Sequence, residues 1–217
     1  MVILSISDIK NAFYINLENR TDRKKHIEAE FEKIGIQPTR FNATQLSDGA
    51  IGCTFSHLKC LEAAKHLDHV LILEDDVLFL DPSIFIENMN NFLKSGIEWD
   101  VVLLAGNNVP PYTRINDSCV KVSKCQTTTA YLVKGDYIPK LIENIKEGLA
   151  KLLREPDKRI KYCIDRYWFS LQEKDNWYLI TPLTVVQIEG YSDIENKNVN
   201  YKNMMVDLDK KYLFVNS

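Results

Sequence analysis

Three consecutive carboxylates, Glu74-Asp75-Asp76, follow directly on the apolar run Val70-Leu71-Ile72-Leu73. Adjacent carboxylates repel one another, so a cationic partner is expected to neutralise them. Hard oxygen ligands of this kind suit Mg²⁺ or Mn²⁺. Side chains alternate along an extended chain, which points Glu74 and Asp76 to one side as metal ligands and Asp75 to the other. A divalent ion held there could bridge diphosphate oxygens and stabilise the charge of a departing nucleoside diphosphate. The bland alternative is a solvated turn whose carboxylates cap the backbone from Val77 onward.

Two further groups carry chemistry. The stretch Asn16-Leu17-Glu18-Asn19-Arg20-Thr21-Asp22-Arg23 leaves an apolar run and enters a helix. Helix-terminal amides and arginines suit anions, so Asn16, Arg20 and Arg23 could border a phosphate or a base. Its alternative is an ordinary polar loop with a helix cap. Cys53, His57 and Cys60 share one helical face. They could hold zinc, yet no fourth ligand is near, and small cysteines that let a helix approach closely explain them more simply. Neither a Gly-x-Gly-x-x-Gly fingerprint nor a Walker loop is present, which speaks against a dehydrogenase or a P-loop ATPase.

These groups need a scaffold. Ala12 to Leu17 reads as a buried strand, followed by a helix capped by Thr21 or Asp22, carrying Ile27, Phe31 and Ile34 on one face and stopped by Gly35. Thr39 to Ala43 is a second strand, and Ile51 to His66 a second helix. His69 to Leu73 and Asp100 to Leu104 are continuous apolar runs, the profile of central parallel strands. A helix after Pro82 separates them. The order β-α-β-α-β-α-β predicts a doubly wound α/β fold with a mostly parallel sheet flanked by helices. Val109 to Lys124 reads as a loop or small hairpin, and Thr127 to Val133 as a strand. Ile138 to Leu153 is a long amphipathic helix, Cys163 to Gln172 a shorter aromatic one, and Tyr178 to Val186 a last strand.

Taken in order, the segments resemble glycosyltransferase family 25, which includes lipooligosaccharide sugar transferases and collagen galactosyltransferases. The resemblance rests on Tyr14-Ile15-Asn16-Leu17 with Arg20 and Arg23, Gly49 to His57, Val70 to Asp76, Trp99 to Val102, Thr129 to Val133, Ile164-Asp165, and Gln187 to Asp193. It covers roughly residues 12 to 194. It implies a GT-A-like Rossmannoid fold, a UDP-sugar donor, Mn²⁺ or Mg²⁺, and inversion at the anomeric carbon. Glu74, Asp75 and Asp76 take the place of the family's metal and sugar-nucleotide motif. Asn16, Arg20 and Arg23 then border the nucleotide. Ser56 and His57 fall on the helix facing the same cleft, although a buried, hydrogen-bonded histidine fits His57 equally well. Ala50 departs from the acidic or amide residue common at its place.

Inverting transfer needs a base for the acceptor proton, and a carboxylate is the usual choice. Asp165 is the first candidate because it matches a family position, with a helix cap as its alternative. Asp193 is the second. Gln187, Tyr191 and Ser192 could line the sugar or acceptor pocket or simply pack at a strand end.

The 217 residues, with 26% charged, 45% hydrophobic and a formal net charge of −3, suit one α/β domain and give no broad attraction to nucleic acid. That domain is expected over 1–194, followed by a polar tail over 195–217. The five cysteines read as reduced thiols. With no apparent signal peptide or apolar span, the expected location is cytoplasmic. The formal glycosylation triplets at Asn19, Asn42 and Asn116 matter only in a secretory lumen. The expected activity is metal-dependent transfer of a galactose or glucose to a hydroxyl on a glycan or a hydroxylysine-bearing protein. The competing readings are a Mg²⁺-dependent phosphohydrolase or nucleotidyltransferase, and a catalytically silent binding module.

Overall fold

The protein is described by a computed structural model covering residues 3–195 and 197–210. Its first strands, β1 (Ala12–Asn16), β2 (Thr39–Asn42) and β3 (His69–Glu74), run parallel, with β1 between the other two. Between them lie α1 (Thr21–Ile34) and α2 (Gly49–Ala63). α1 ends at Gly35, whose φ of 68° is the left-handed conformation that glycine adopts without steric cost. Asp48 caps α2 by accepting from the amides of Ala50 and Ile51. β4 (Val77–Phe79) follows the acidic triplet, and α3 (Pro82–Lys94), capped by Asp81, leads to β5 (Val101–Leu103).

Chain order then stops predicting sheet order. After β5 come the short strands β6 (Asn107–Asn108), β7 (Thr113–Arg114), β8 (Cys119–Lys121) and β9 (Cys125–Gln126), then β10 (Ala130–Lys134). β10 inserts between β3 and β5, antiparallel to both. The long amphipathic α4 (Ile138–Arg154) is followed by three single-turn helices, α5 (Arg159–Tyr162), α6 (Ile164–Tyr167) and α7 (Phe169–Gln172). β11 (Trp177–Ile180) adds parallel to β5, and β8 pairs antiparallel with it. The result is an eight-stranded sheet in the order β2-β1-β3-β10-β5-β11-β8-β7. β10 and β8 run opposite to the other strands, so the expected mostly parallel α/β sheet is present, with a reversed strand at its centre.

Alternation along the strands divides the core into two layers. Leu71, Leu73, Val102 and Leu132 face the side covered by α1 and α3, with Phe31, Phe85 and Phe92. Val70, Ile72, Val101, Leu103, Tyr131 and Val133 face the side covered by α2 and α4, with Leu58, Leu61, Leu141 and Ile145. A sheet buried on both faces explains why β3 and β5 read as unbroken apolar runs.

Several boundaries differ from those read in the sequence. The cap of α1 is Arg20, whose side chain makes no capping bond, instead of Thr21 or Asp22. Thr127 has φ 77° and stands outside the sheet, so the expected 127–133 strand begins only at Ala130, as β10. The expected 178–186 strand is also two pieces, because β12 (Val185–Gln187) leaves the main sheet to pair with β4. The polar segment after residue 194 carries β14 (Lys197–Val199), paired with β13 (Gly190–Ser192), and α8 (Lys202–Val206), whose Met205 is fully buried. The end of that segment, 211–217, lies outside the described residues, as does Met1. Among the described residues, no helix is long and apolar enough to cross a membrane.

Candidate active site

The acidic triplet is not a solvated turn. It joins two buried strands, β3 and β4, and its three side chains border a cleft of about 330 Å³. Continuing the alternation of β3, Glu74 points to the α2 side. There its Oε1 meets His57 Nε2 at 3.2 Å, accepts from Thr128 Oγ1 at 2.5 Å and has the Cys53 thiol 3.9 Å away. Asp76 shares a contact with Glu74, because Gln187 Nε2 lies 3.4 Å from both Glu74 Oε2 and Asp76 Oδ2. Asp75 turns the other way. It accepts from Asn16 Nδ2 at 2.7 Å and from Arg23 Nη1 at 3.0 Å.

Burial and mutual repulsion set the charges. Removal from water pushes the Asp76 carboxyl up to about 8, and the neighbouring Glu74 carboxylate pushes the same way, with Arg23 opposing. Burial also raises Asp75, against the pull of Asn16 and Arg23. Glu74 goes the other way: burial would raise it, but the hydrogen bonds from His57 and Thr128 outweigh that and leave it below the usual range. Asp76 Oδ1 is buried without a hydrogen-bond partner among the described residues. The triplet therefore holds one well-compensated carboxylate, Glu74, and one, Asp76, whose contacts with Arg23 and Gln187 do not offset its burial.

The loop after β1 is built around Asn16, which is 1% exposed. Its amide donates to Arg20 O and to Asp75, and its oxygen accepts from Arg40 Nε at 2.9 Å. Arg20 forks onto Asp22 and reaches Asp193 Oδ2 at 2.5 Å across the cleft. Arg23 also touches Asp76 at 3.4 Å and the carbonyl of Tyr191 at 2.8 Å. Both arginines line the cleft.

Ser56 and His57 border it too, but their polar atoms are already spent. Ser56 Oγ bonds Gly52 O and accepts from the Thr44 amide. His57 is fully buried, stacked on Tyr131, with Nδ1 2.8 Å from the Tyr131 hydroxyl. It orients Glu74 and matches the buried-histidine alternative. The suggested zinc group also changes: Cys60 lies in the core, and the compact trio is Cys53, His57 and Glu74, with ligand atoms all within 4.8 Å. Burial pushes the Cys53 thiol well above its ordinary range, helped by the Glu74 charge.

A second cavity, of about 840 Å³, shares Cys53, Glu74, Gln187, Ser192, Ile194 and Tyr201 with the first. Asp165 lines it from α6. The residue does not cap that helix. Its Oδ2 accepts from the Thr127 amide at 3.1 Å and so holds the left-handed turn that presents Thr128 to Glu74. Asp193 borders only the first cleft, with its side chain 46% exposed. Sequence reasoning did not single out Arg40, Thr128, Arg159, Arg166 or Lys210. Arg40 and Thr128 lie on or beside strands that read as scaffold, and the other three are cations whose convergence depends on tertiary folding.

A family model described as glycosyltransferase family 25 (LPS biosynthesis protein) matches residues 42–152, the span that contains Glu74, Asp75 and Asp76. The chain is 30% identical over 169 residues to a procollagen lysyl hydroxylase and glycosyltransferase of Acanthamoeba polyphaga mimivirus, a match covering 58% of this chain and 18% of the relative. It is 27% identical over 195 residues to a glycosyltransferase 25 family member of Drosophila pseudoobscura pseudoobscura, covering 73% of this chain and 30% of that one. The matches thus span less than a third of either relative's length. A glycosyltransferase involved in glycosylation of the major capsid of PBCV-1 aligns at 14% identity and a TM-score of 0.47, over 89% of this chain and 97% of its own. With the family model matching half of the sequence, this chain belongs to glycosyltransferase family 25.

Proposed function

We propose that the chain transfers a hexose, galactose or glucose, from a UDP-sugar to an acceptor hydroxyl with inversion, using Mn²⁺ or Mg²⁺. The observation that carries this reading is the undercompensated carboxylate Asp76, next to Glu74 at the floor of a cleft bordered by Arg20 and Arg23. The donor set fits a hard divalent ion. Among the described residues Asp76 Oδ1 has no partner, and Glu74 Oε2 has only the 3.4 Å contact with Gln187. Glu74 and Asp76 would hold the ion, which supplies charge stabilisation to the leaving diphosphate. The thiol and imidazole of Cys53 and His57 favour a softer metal. His57 already engages Glu74 through Nε2 and Tyr131 through Nδ1, so the oxygen pair is the better match.

The chain's own groups divide the remaining work. Asn16 fixes the β1–α1 loop, and Arg20 and Arg23 present guanidinium groups to the diphosphate. Asp165 faces the second cavity, which suits the acceptor because it meets the first at Glu74 and Gln187. As the acceptor oxygen bonds to the anomeric carbon, the bond from that carbon to the diphosphate oxygen breaks. Its electron pair leaves with UDP, and the hydroxyl proton passes to Asp165. Asp193 is the weaker choice of base because it lies on the donor side and is bound to Arg20.

Family membership sets aside the phosphohydrolase and nucleotidyltransferase readings. A titration with UDP and Mn²⁺, together and separately, tests the site. Joint addition should raise the thermal midpoint more than either ligand alone. Release of UDP should then appear with at least one UDP-sugar from a panel, and a chain inert to every donor is a silent binding module instead.

A further inference from the structure

The second cavity gathers three cations that the donor chemistry does not use: Arg159, Arg166 and Lys210. Among the described residues none of them has an acidic partner. Arg159 donates to the carbonyl of Ile194 at 3.3 Å, and Arg166 lies 5.9 Å from the Phe169 ring centre. Lys210 is 1% exposed and donates to the carbonyls of Met204 and Asp207. Those two bonds leave one ammonium hydrogen unspent.

The carboxylates of the same cavity do not balance this charge. Glu195 is paired with Lys197 at 2.9 Å, and Glu74 is held by His57 and Thr128. Asp165 alone remains, bonded to the Thr127 amide. Two uncharged groups, Asn107 Oδ1 and Thr127 Oγ1, are also buried there without partners among the described residues. Unpaired cations in a concave, partly desolvated site attract an anion strongly, and guanidinium groups match the planar oxygens of phosphate and carboxylate.

We propose that the acceptor carries an anionic group, a phosphate or a carboxylate, which Arg159, Arg166 and Lys210 bind while its hydroxyl faces Asp165. The proposal rests on assigning the second cavity to the acceptor. It selects an acidic glycan over a hydroxylysine-bearing protein, because the ammonium of hydroxylysine would enter a cavity already rich in unpaired positive charge.

The test uses the full chain with Mn²⁺ and a UDP-sugar that it hydrolyses slowly without acceptor. UDP release is measured with a neutral methyl hexoside, its 6-phosphate, the corresponding methyl hexuronide, and hydroxylysine blocked as its Nα-acetyl methylamide so that it carries no carboxylate. One or both anionic acceptors should exceed the neutral one about tenfold or more in kcat/KM, the scale of one charge-assisted contact. The better of the two identifies the anion. Arg159→Gln and Arg166→Gln, both at half-buried positions, should each pull that preference toward unity. Equal or better rates with the neutral sugar or hydroxylysine overturn the proposal, as does an unchanged preference in both variants. A chain that hydrolyses no UDP-sugar overturns the transferase reading itself, and this proposal with it.

Discussion

His57 Nε2 lies 3.2 Å from Glu74 Oε1, where α2 meets the end of β3. The other ring nitrogen is held by Tyr131 from β10, so a reversed strand and a helix together fix the carboxylate. His57→Ala strips a buried partner from both groups. It should lower stability by roughly 1–3 kcal/mol and slow UDP release. Denaturant unfolding and a turnover assay check the two effects, and a variant unchanged in both would show that Glu74 does not depend on the ring.

Asp76 predicts an unusual pH response. Its carboxyl is raised to about 8 in the folded chain against an ordinary 3.8, so the folded state holds its proton more tightly. Stability from this group is fully present below 3.8 and is lost as pH rises through about 8. Glu74, Asp75, Arg23 and Gln187 all face it, and the lowered Glu74 works oppositely, losing its contribution as pH falls through its own acidic range. Metal-free Asp76→Asn should therefore be more stable than the parent at pH 8, with a flatter pH profile. Added Mn²⁺ should stabilise the parent increasingly from pH 5 to pH 8 and the variant little. Asp76→Ala should abolish turnover while the fold persists, read by circular dichroism and UDP release.

Gly49 opens α2 against the β13–β14 turn. A β-carbon there would sit 2.8 Å from both the carbonyl oxygen of Asp193 and the α-carbon of Ile194. Gly49→Ala must push that turn outward and with it the Asp193 partner of Arg20. Overpacking of this kind costs roughly 1–3 kcal/mol. Calorimetric titration should also find weaker UDP binding, and unaltered affinity would mean that the turn does not close on the donor.

The two candidate bases separate by their positions. Asp165→Asn keeps an oxygen for the Thr127 amide but cannot take a proton, so kcat should fall roughly 10²–10⁴-fold with little change in UDP binding. Asp193→Asn should mainly weaken UDP binding through Arg20. The opposite pattern would move the base to Asp193.

What the sequence made legible was local. The apolar run of β3 and the carboxylates after it are contiguous, and Gly35 marks a helix end by itself. Alternation correctly separated Asp75 from Glu74 and Asp76, because β3 stays extended to its last residue. β10 was read as a strand, but nothing nearby in the chain says that it enters the sheet backwards between β3 and β5. Thr127 could not be foreseen as a break, since its left-handed turn is stabilised by Asp165, 38 residues away. For the same reason Arg40 and Thr128 looked unremarkable: each acquires its partner only when distant segments meet.

Met205 has a practical consequence for anyone excising this unit from a longer polypeptide. Composition suggests trimming just after residue 194, where polar residues take over. Such a cut would uncover the apolar layer that Met205 seals and delete the strand that pairs with Gly190–Ser192. Chains ending beyond Lys210 should express as monodisperse protein, whereas those cut after residue 194 should aggregate through the exposed edge.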